Sequence, residues 1–207
     1  MELENNLPPL KVDHIIYLQD ARFASAAGVT YLTFCLERGN IHKIPNNNVW
    51  EMLEWLSGPQ FVLDFGADYG AANDYILNPV NEDVFLQVAC HADDLETAEI
   101  PPAHILQLQI DKPADCLKLL EQMQKYKEEE YIIEIAPQAE HPDWAAAFKE
   151  IGDTWGEFWI QTDTLTRISA HRYTALQAHL SVRKWIEQDA FYLDYDKFEE
   201  LATELSS

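Results

Sequence analysis

The chain has 207 residues and a formal net charge of −22, from 36 acidic against 14 basic side chains, with 47% of residues hydrophobic. That balance suits one domain over 1–207 with a single core, and its field repels phosphate backbones and anionic bilayers, so neither nucleic acid nor membrane is an expected partner. No run reaches the roughly 18 apolar residues of a membrane span, and no signal peptide is read in residues 1–20, so the expected location is cytoplasmic.

Short apolar, β-branched runs alternate with longer amphipathic segments. The pattern predicts a strand over 10–14, a small-residue helix over 19–27 stopped by Gly28, and a strand over 29–36. After a polar loop comes a helix over 48–56, ended by Ser57-Gly58-Pro59. Next are a strand over 61–65, a short helix over 71–77, strands over 84–89 and 105–110, a helix over 114–127 and a strand over 131–136. Asp143 is placed as the N-cap of a helix over 143–151. A strand over 157–161, a helix over 169–180, a last strand over 191–193 and an amphipathic helix over 196–205 complete the series.

Strands that alternate with helices pair in parallel and are buried on both faces. The runs VTYLTF, FVLDF, VFLQVA and YIIEI suit that burial. About eight such units are present, the number that closes a barrel. The expected fold class is α/β, a small and degenerate (β/α)8 TIM barrel. An open doubly wound parallel sheet is the alternative, because periodicity does not distinguish closure from an open edge.

Cys35, Cys90 and Cys116 are scattered and form no Cys-x-x-Cys pair. They read as reduced, buried thiols, and no zinc site is expected. No Walker A loop or Gly-x-Ser-x-Gly elbow occurs, and no cofactor is expected.

Three segments carry a family resemblance: Lys11-Val12-Asp13-His14-Ile15, Leu18-Gln19-Asp20-Ala21, and Gly28-Val29-Thr30-Tyr31-Leu32-Thr33-Phe34. In spacing and order they resemble the opening of phosphoribosylanthranilate isomerase, a small β/α barrel of tryptophan biosynthesis. The family's text there runs Lys-Ile-Cys-Gly-Ile, Leu-Glu-Asp-Ala, and Gly-Ala-Asp-x-Leu-Gly-Phe. The resemblance implies that the family's catalytic cysteine falls on Asp13 and its following glycine on His14. The catalytic aspartate of a later strand corresponds to the segment Tyr131 to Ala136, whose acid is Glu134. The family's fourth-strand Gln-Leu-His-Gly is echoed out of register by Gln87-Val88-Ala89-Cys90-His91. Its phosphate is held by glycine-bearing loops after the last strands. Here no glycine follows Gly156, and those loops carry Asp163 and Asp194. The implied protein is a barrel of this kind without that activity, a small-molecule-binding or interaction protein. An isomerase with a rebuilt carboxylate site is the alternative; as an enzyme it would be a sugar-type isomerase or related lyase.

Asp13 and Glu134 are the candidate acid–base pair, since an aminoaldose–aminoketose isomerisation needs one base and one acid on opposite sides of the substrate. Two carboxylates in one cavity do not both ionise cheaply, so one pKa is expected to rise. The other reading makes them capping or salt-bridged groups, and a lysine or arginine partner for Asp13 would mark it. Arg38 and His42, in the loop after the second strand, and His91, ending the fourth beside Asp93 and Asp94, are the candidate substrate-binding residues. A plain surface loop is the other reading for Arg38 and His42. His171 and His179 read as one helical face, and the tryptophans read as core. No metal site is expected, because no tight cluster of ligand types occurs in the sequence.

The run Val62-Leu63-Asp64-Phe65-Gly66-Ala67-Asp68-Tyr69-Gly70 resembles the first motif of S-adenosylmethionine-dependent methyltransferases. This gives a weaker alternative function. Asp68 stands where the cofactor needs a glycine, so a strand-to-helix turn is the simpler reading.

Overall fold

The protein is described by a computed structural model over residues 9–81, 83–128, 131–137, 143–155, 158–162, 178–182 and 193–206. Among these residues, eight strands and six α-helices follow one another, beginning with β1 (Leu10–Val12), α1 (Leu18–Ala26), β2 (Tyr31–Cys35), α2 (Asn46–Trp55), β3 (Gln60–Asp64), α3 (Tyr69–Leu77) and β4 (Phe85–His91). Then come β5 (Ile105–Ile110), α4 (Asp115–Glu128), β6 (Ile132–Pro137), α5 (Trp144–Trp155), β7 (Phe158–Thr162), β8 (Ala178–Val182) and α6 (Tyr195–Ser206). Each strand pairs in parallel with the next, and β8 pairs with β1. The barrel is closed, which removes the open sheet and with it the methyltransferase alternative.

The register defines the lumen. Following the pairings once around from Lys11, to Tyr31 and Gln60 and on through the registers of β4 to β8, returns the path to β1 displaced by eight residues. Eight strands with a stagger of eight is the geometry that side chains alone can fill. Because side chains alternate along a strand, the same tracing assigns the faces. Leu10 and Val12, Leu32 and Phe34, Leu106 and Leu108, and Ile133 and Ile135 point out toward the helices and are essentially fully buried there. Their partners in the alternation point inward, and many are polar.

The fourth crossover is reduced. Between β4 and β5 the only helical turn is the 3-10 segment Ala92–Asp94, and Pro101 and Pro102 then offer no N–H for a longer helix. Asp143 directly precedes α5, and its carbonyl accepts from the amides of Ala146 and Ala147 at 3.1 Å each. Asp68 accepts from the Ala71 amide and starts α3, the strand-to-helix turn expected of that segment.

Two expectations are corrected. The eighth strand is Ala178–Val182, not 191–193, where Leu193 makes a single bridge. Its five residues, Ala-His-Leu-Ser-Val, alternate with period two, but so short a run had been absorbed into the adjoining helical pattern. His179 therefore lies on a strand, while His171 lies outside the described residues. Trp55 is not core: it is 68% exposed at the end of α2, with the Arg22 guanidinium 5.8 Å from its ring centroid.

Candidate functional site

The lumen is built in three tiers. At the N-terminal ends of the strands, Tyr31 meets Phe85 and Trp159 edge-on, with centroids 5.6 and 5.4 Å apart. These rings make an apolar floor of the kind aromatic quadrupoles favour.

Above the floor lies a charged tier. Lys11, in the middle of β1, extends its ammonium across the barrel axis and donates to Gln87 Oε1 on β4 at 2.6 Å. The same ammonium pairs with Asp13 at 3.0 Å and with Glu134 of β6. Three N–H groups thus face three oxygens. Glu134 also accepts from Gln107 Nε2 at 2.8 Å, and Asp13 Oδ2 accepts from the Ser181 hydroxyl at 2.6 Å and from Gln161 Nε2 at 3.4 Å. Lys11 and Glu134 are 1% and 0% exposed. Burial alone would push the Asp13 carboxyl up, but Lys11 outweighs it, helped by His14 and Ser181, and holds it at about 2. Burial would lower the ammonium of Lys11, yet Asp13 and Glu134 raise it to about 12. For Glu134 burial wins over the attraction of Lys11, and its carboxyl is raised.

The third tier is the C-terminal rim. His14 follows Asp13 with φ +57°, the left-handed region that a non-glycine residue enters at a cost. Asp13 N–H donates to Val182 O and Ile15 N–H to Thr33 O, so both flanks of His14 are tied to neighbouring strands. Its Nε2 lies 3.2 Å from Asp64 Oδ2, at the end of β3, while its Nδ1 is buried with no hydrogen-bond partner among the described residues. Asp64 Oδ1 accepts from the Gly66 amide. Gly66 has φ +53°, a left-handed conformation that favours glycine, and a Cβ there would also displace the carboxyl end of Glu37. The ligand-type atoms of His14, Cys35 and Asp64 lie within 4.8 Å of one another.

The candidate residues are thus distributed unevenly. Asp13 and Glu134 do share the lumen, and one of their pKa values is raised, but Lys11 stands between them. By the criterion set from sequence, that lysine marks Asp13 as a salt-bridged group. Arg38 is 72% exposed and pairs with Asp68 at 3.1 Å, as a surface-loop residue does. His42, from the same loop, is instead 2% exposed, its ring centroid 5.1 Å from that of His14. His91 ends β4 with Asp111 at 3.6 Å and Asp93 at 3.9 Å. Sequence reasoning passed over Lys11, Gln87 and Gln107, although each occupies the inward parity of its strand. It also placed no metal-type ligands together, because 21 and 29 residues separate His14, Cys35 and Asp64 and only the closed barrel brings them to one rim.

Beside the rim, a groove between the start of α1 and the start of α6 is lined by Tyr17, Gln19, Asp20, Asp194, Tyr195 and Asp196. The Tyr195 hydroxyl donates to Asp20 at 2.8 Å, and burial raises the Asp20 carboxyl. Asp194 accepts from the Lys197 amide at 3.2 Å and so caps α6 with its own carboxylate. Asp163 lies outside the described residues.

No family model and no curated protein matches the chain. Solved structures do match in fold. A monomeric variant of phosphoribosylanthranilate isomerase from Thermotoga maritima is 12% identical with a TM-score of 0.72, over 96% of this chain and 98% of that one. The isomerase from Pyrococcus furiosus is 11% identical with a TM-score of 0.70, again over 96% and 98%. Orotidine 5'-monophosphate decarboxylase from Methanocaldococcus jannaschii is 12% identical with a TM-score of 0.58, over 98% and 100%. Identity this low shows the barrel and its likeness to the phosphoribosylanthranilate isomerase fold; it does not carry an activity. Among the described residues, no helix is long and apolar enough to cross a membrane.

Proposed function

We propose that this chain is a phosphoribosylanthranilate-isomerase-like barrel without that activity, binding an unphosphorylated small molecule at its C-terminal mouth. The observation that carries this reading is the Lys11 bridge. A general base must be free to take a proton near neutral pH. Asp13 is held at about 2, with its oxygens engaged by Lys11, Ser181 and Gln161.

The groove at the α6 N-terminus supports the second half of the reading. Its lining includes three carboxylates, and the helix N-terminus that would attract an anion is already capped by Asp194. A phosphate would meet repulsion there, whereas a neutral polyol or an amine would not. The raised carboxyl of Glu134 is the one feature that favours the alternative of a rebuilt isomerase. A coupled tryptophan-pathway assay separates the readings. No turnover of phosphoribosylanthranilate is expected, and a thermal shift is expected from unphosphorylated but not from matched phosphorylated sugars or amino sugars. Turnover, or rescue of an auxotroph, overturns the proposal.

A further inference from the structure

The rim cluster has a chemistry that the carboxylate tier lacks. We infer that His14, Cys35 and Asp64 form a binding site for a single transition-metal ion of the zinc type, held at the C-terminal ends of β1, β2 and β3.

Four observations meet at this point. The donor set of imidazole, thiol and carboxylate is the borderline-soft set that zinc takes, whereas magnesium or calcium would call for oxygen alone. The 3.2 Å between His14 Nε2 and Asp64 Oδ2 is close to the edge of a tetrahedron with bonds of about 2.0–2.1 Å, which is about 3.3 Å. The three donor atoms already lie within 4.8 Å of one another, so a small movement of the Cys35 side chain completes the set. Finally, His14 sits at φ +57°, a backbone conformation that costs stability and that glycine would adopt freely. Its Nδ1 is buried without a hydrogen-bond partner among the described residues, and the ring is held by its contact with Asp64 and by the neighbouring ring of His42.

Three protein ligands leave the fourth coordination position open, which is the arrangement of a reactive rather than a structural zinc. As the metal–sulfur bond forms, the Cys35 thiol releases its proton to solvent, so binding weakens as pH falls. Asp64 then exchanges its contact with His14 for the metal, while Oδ1 keeps the Gly66 amide. The buried ring of His42 packs against His14 and restricts its rotation. The net charge of −22 adds long-range attraction for any cation.

This site is independent of the proposed ligand chemistry, and its test reads the metal directly. The full chain, stripped with a chelator that is then removed, is titrated with cobalt(II) and with zinc(II). One equivalent of cobalt is expected to produce tetrahedral d–d bands and a sulfur-to-metal charge-transfer band, which zinc displaces. Cys35→Ser should abolish the charge-transfer band, while Cys116→Ser leaves it intact. His14→Asn and Asp64→Asn should each weaken zinc binding by about tenfold or more. A folded wild-type chain that takes up no cobalt overturns the inference, whatever the variants do. So does binding without the sulfur band, or binding unchanged in Cys35→Ser and His14→Asn, since either places the ion on surface carboxylates.

Discussion

Mid-barrel, the three N–H groups of Lys11 face three oxygens supplied by β4, β6 and the end of β1. At the rim, one step further along the same strand, His14 holds a buried nitrogen without a partner on a left-handed backbone. Both clusters are polar and buried, and each holds an unpartnered nitrogen, Gln87 Nε2 in the one and His14 Nδ1 in the other, but only the first has its carboxylates paired with a lysine and only the second carries a left-handed backbone. A compensated network resists change and reads as architecture; an undercompensated one with backbone strain keeps capacity for a ligand. Burial of charge alone therefore does not locate a site. An unpartnered group on a strained backbone, beside metal-type donor atoms, does.

The sharpest way to break this comparison is at Lys11. Lys11→Met removes the only cation among the described residues of that network and leaves Asp13 and Glu134 facing one another in a dry lumen. Breaking a buried ion pair from one side costs about 3–5 kcal/mol. Urea unfolding should show a loss of that size, and Asp13→Asn a smaller one, because Ser181, Gln161 and Lys11 still find an oxygen there. Replacing Lys11, Asp13 and Glu134 together by Met, Asn and Gln should recover much of the loss. If Asp13→Asn leaves stability unchanged or improved, the network is not architectural and the acid–base reading returns.

The barrel itself was legible because its outward faces obey simple rules. Leu10, Val12, Leu106, Leu108, Ile133 and Ile135 are apolar at every second position and mark their strands. Strand β5 spans 105–110, the range expected for it. The lumen was less legible. Gln87 and Gln107 sit within apolar runs, and a periodicity reading treats such residues as interruptions rather than as members of one buried tier. The eighth strand was lost because five alternating residues carry too little signal against a helical neighbour. Asp13 and Glu134 were reached through the family resemblance, and Glu134 lies within β6 rather than at its end. Their relation was not found, since nothing in the sequence shows that Lys11 reaches both.

A milder change tests the rim. His14→Gly relieves the left-handed backbone, worth about 1 kcal/mol, and forfeits one hydrogen bond to Asp64, worth about the same. Net stability should move by no more than about 1 kcal/mol in either direction, far less than at Lys11, while the cobalt charge-transfer complex weakens. A denaturation midpoint that falls as far as that of Lys11→Met would show that His14 is as architectural as the charged tier.

The smallest effect belongs to the opposite end of the barrel, where His104 precedes β5. Its Nδ1 accepts from the Leu86 amide at 3.0 Å, and its ring lies 5.1 Å from that of Phe85. Burial lowers the imidazole pKa from its usual value, and a protonated ring would set an N–H against the amide it now accepts from. The folded state therefore resists the proton that the unfolded chain accepts. Above pH 6.5 both states are neutral at this site, and His104 adds nothing to the pH dependence. As pH falls below that value the unfolded chain binds more protons, so stability declines until the folded pKa is reached. Exposure of part of the ring to solvent keeps the slope shallow. His104→Asn preserves an acceptor at nearly the same position without a titration. Its stability between about pH 7 and pH 5 should fall less steeply than that of the parent chain, on top of the carboxylate titrations common to both. An equal slope in the two proteins would place the floor among groups whose protonation does not change on folding in this range.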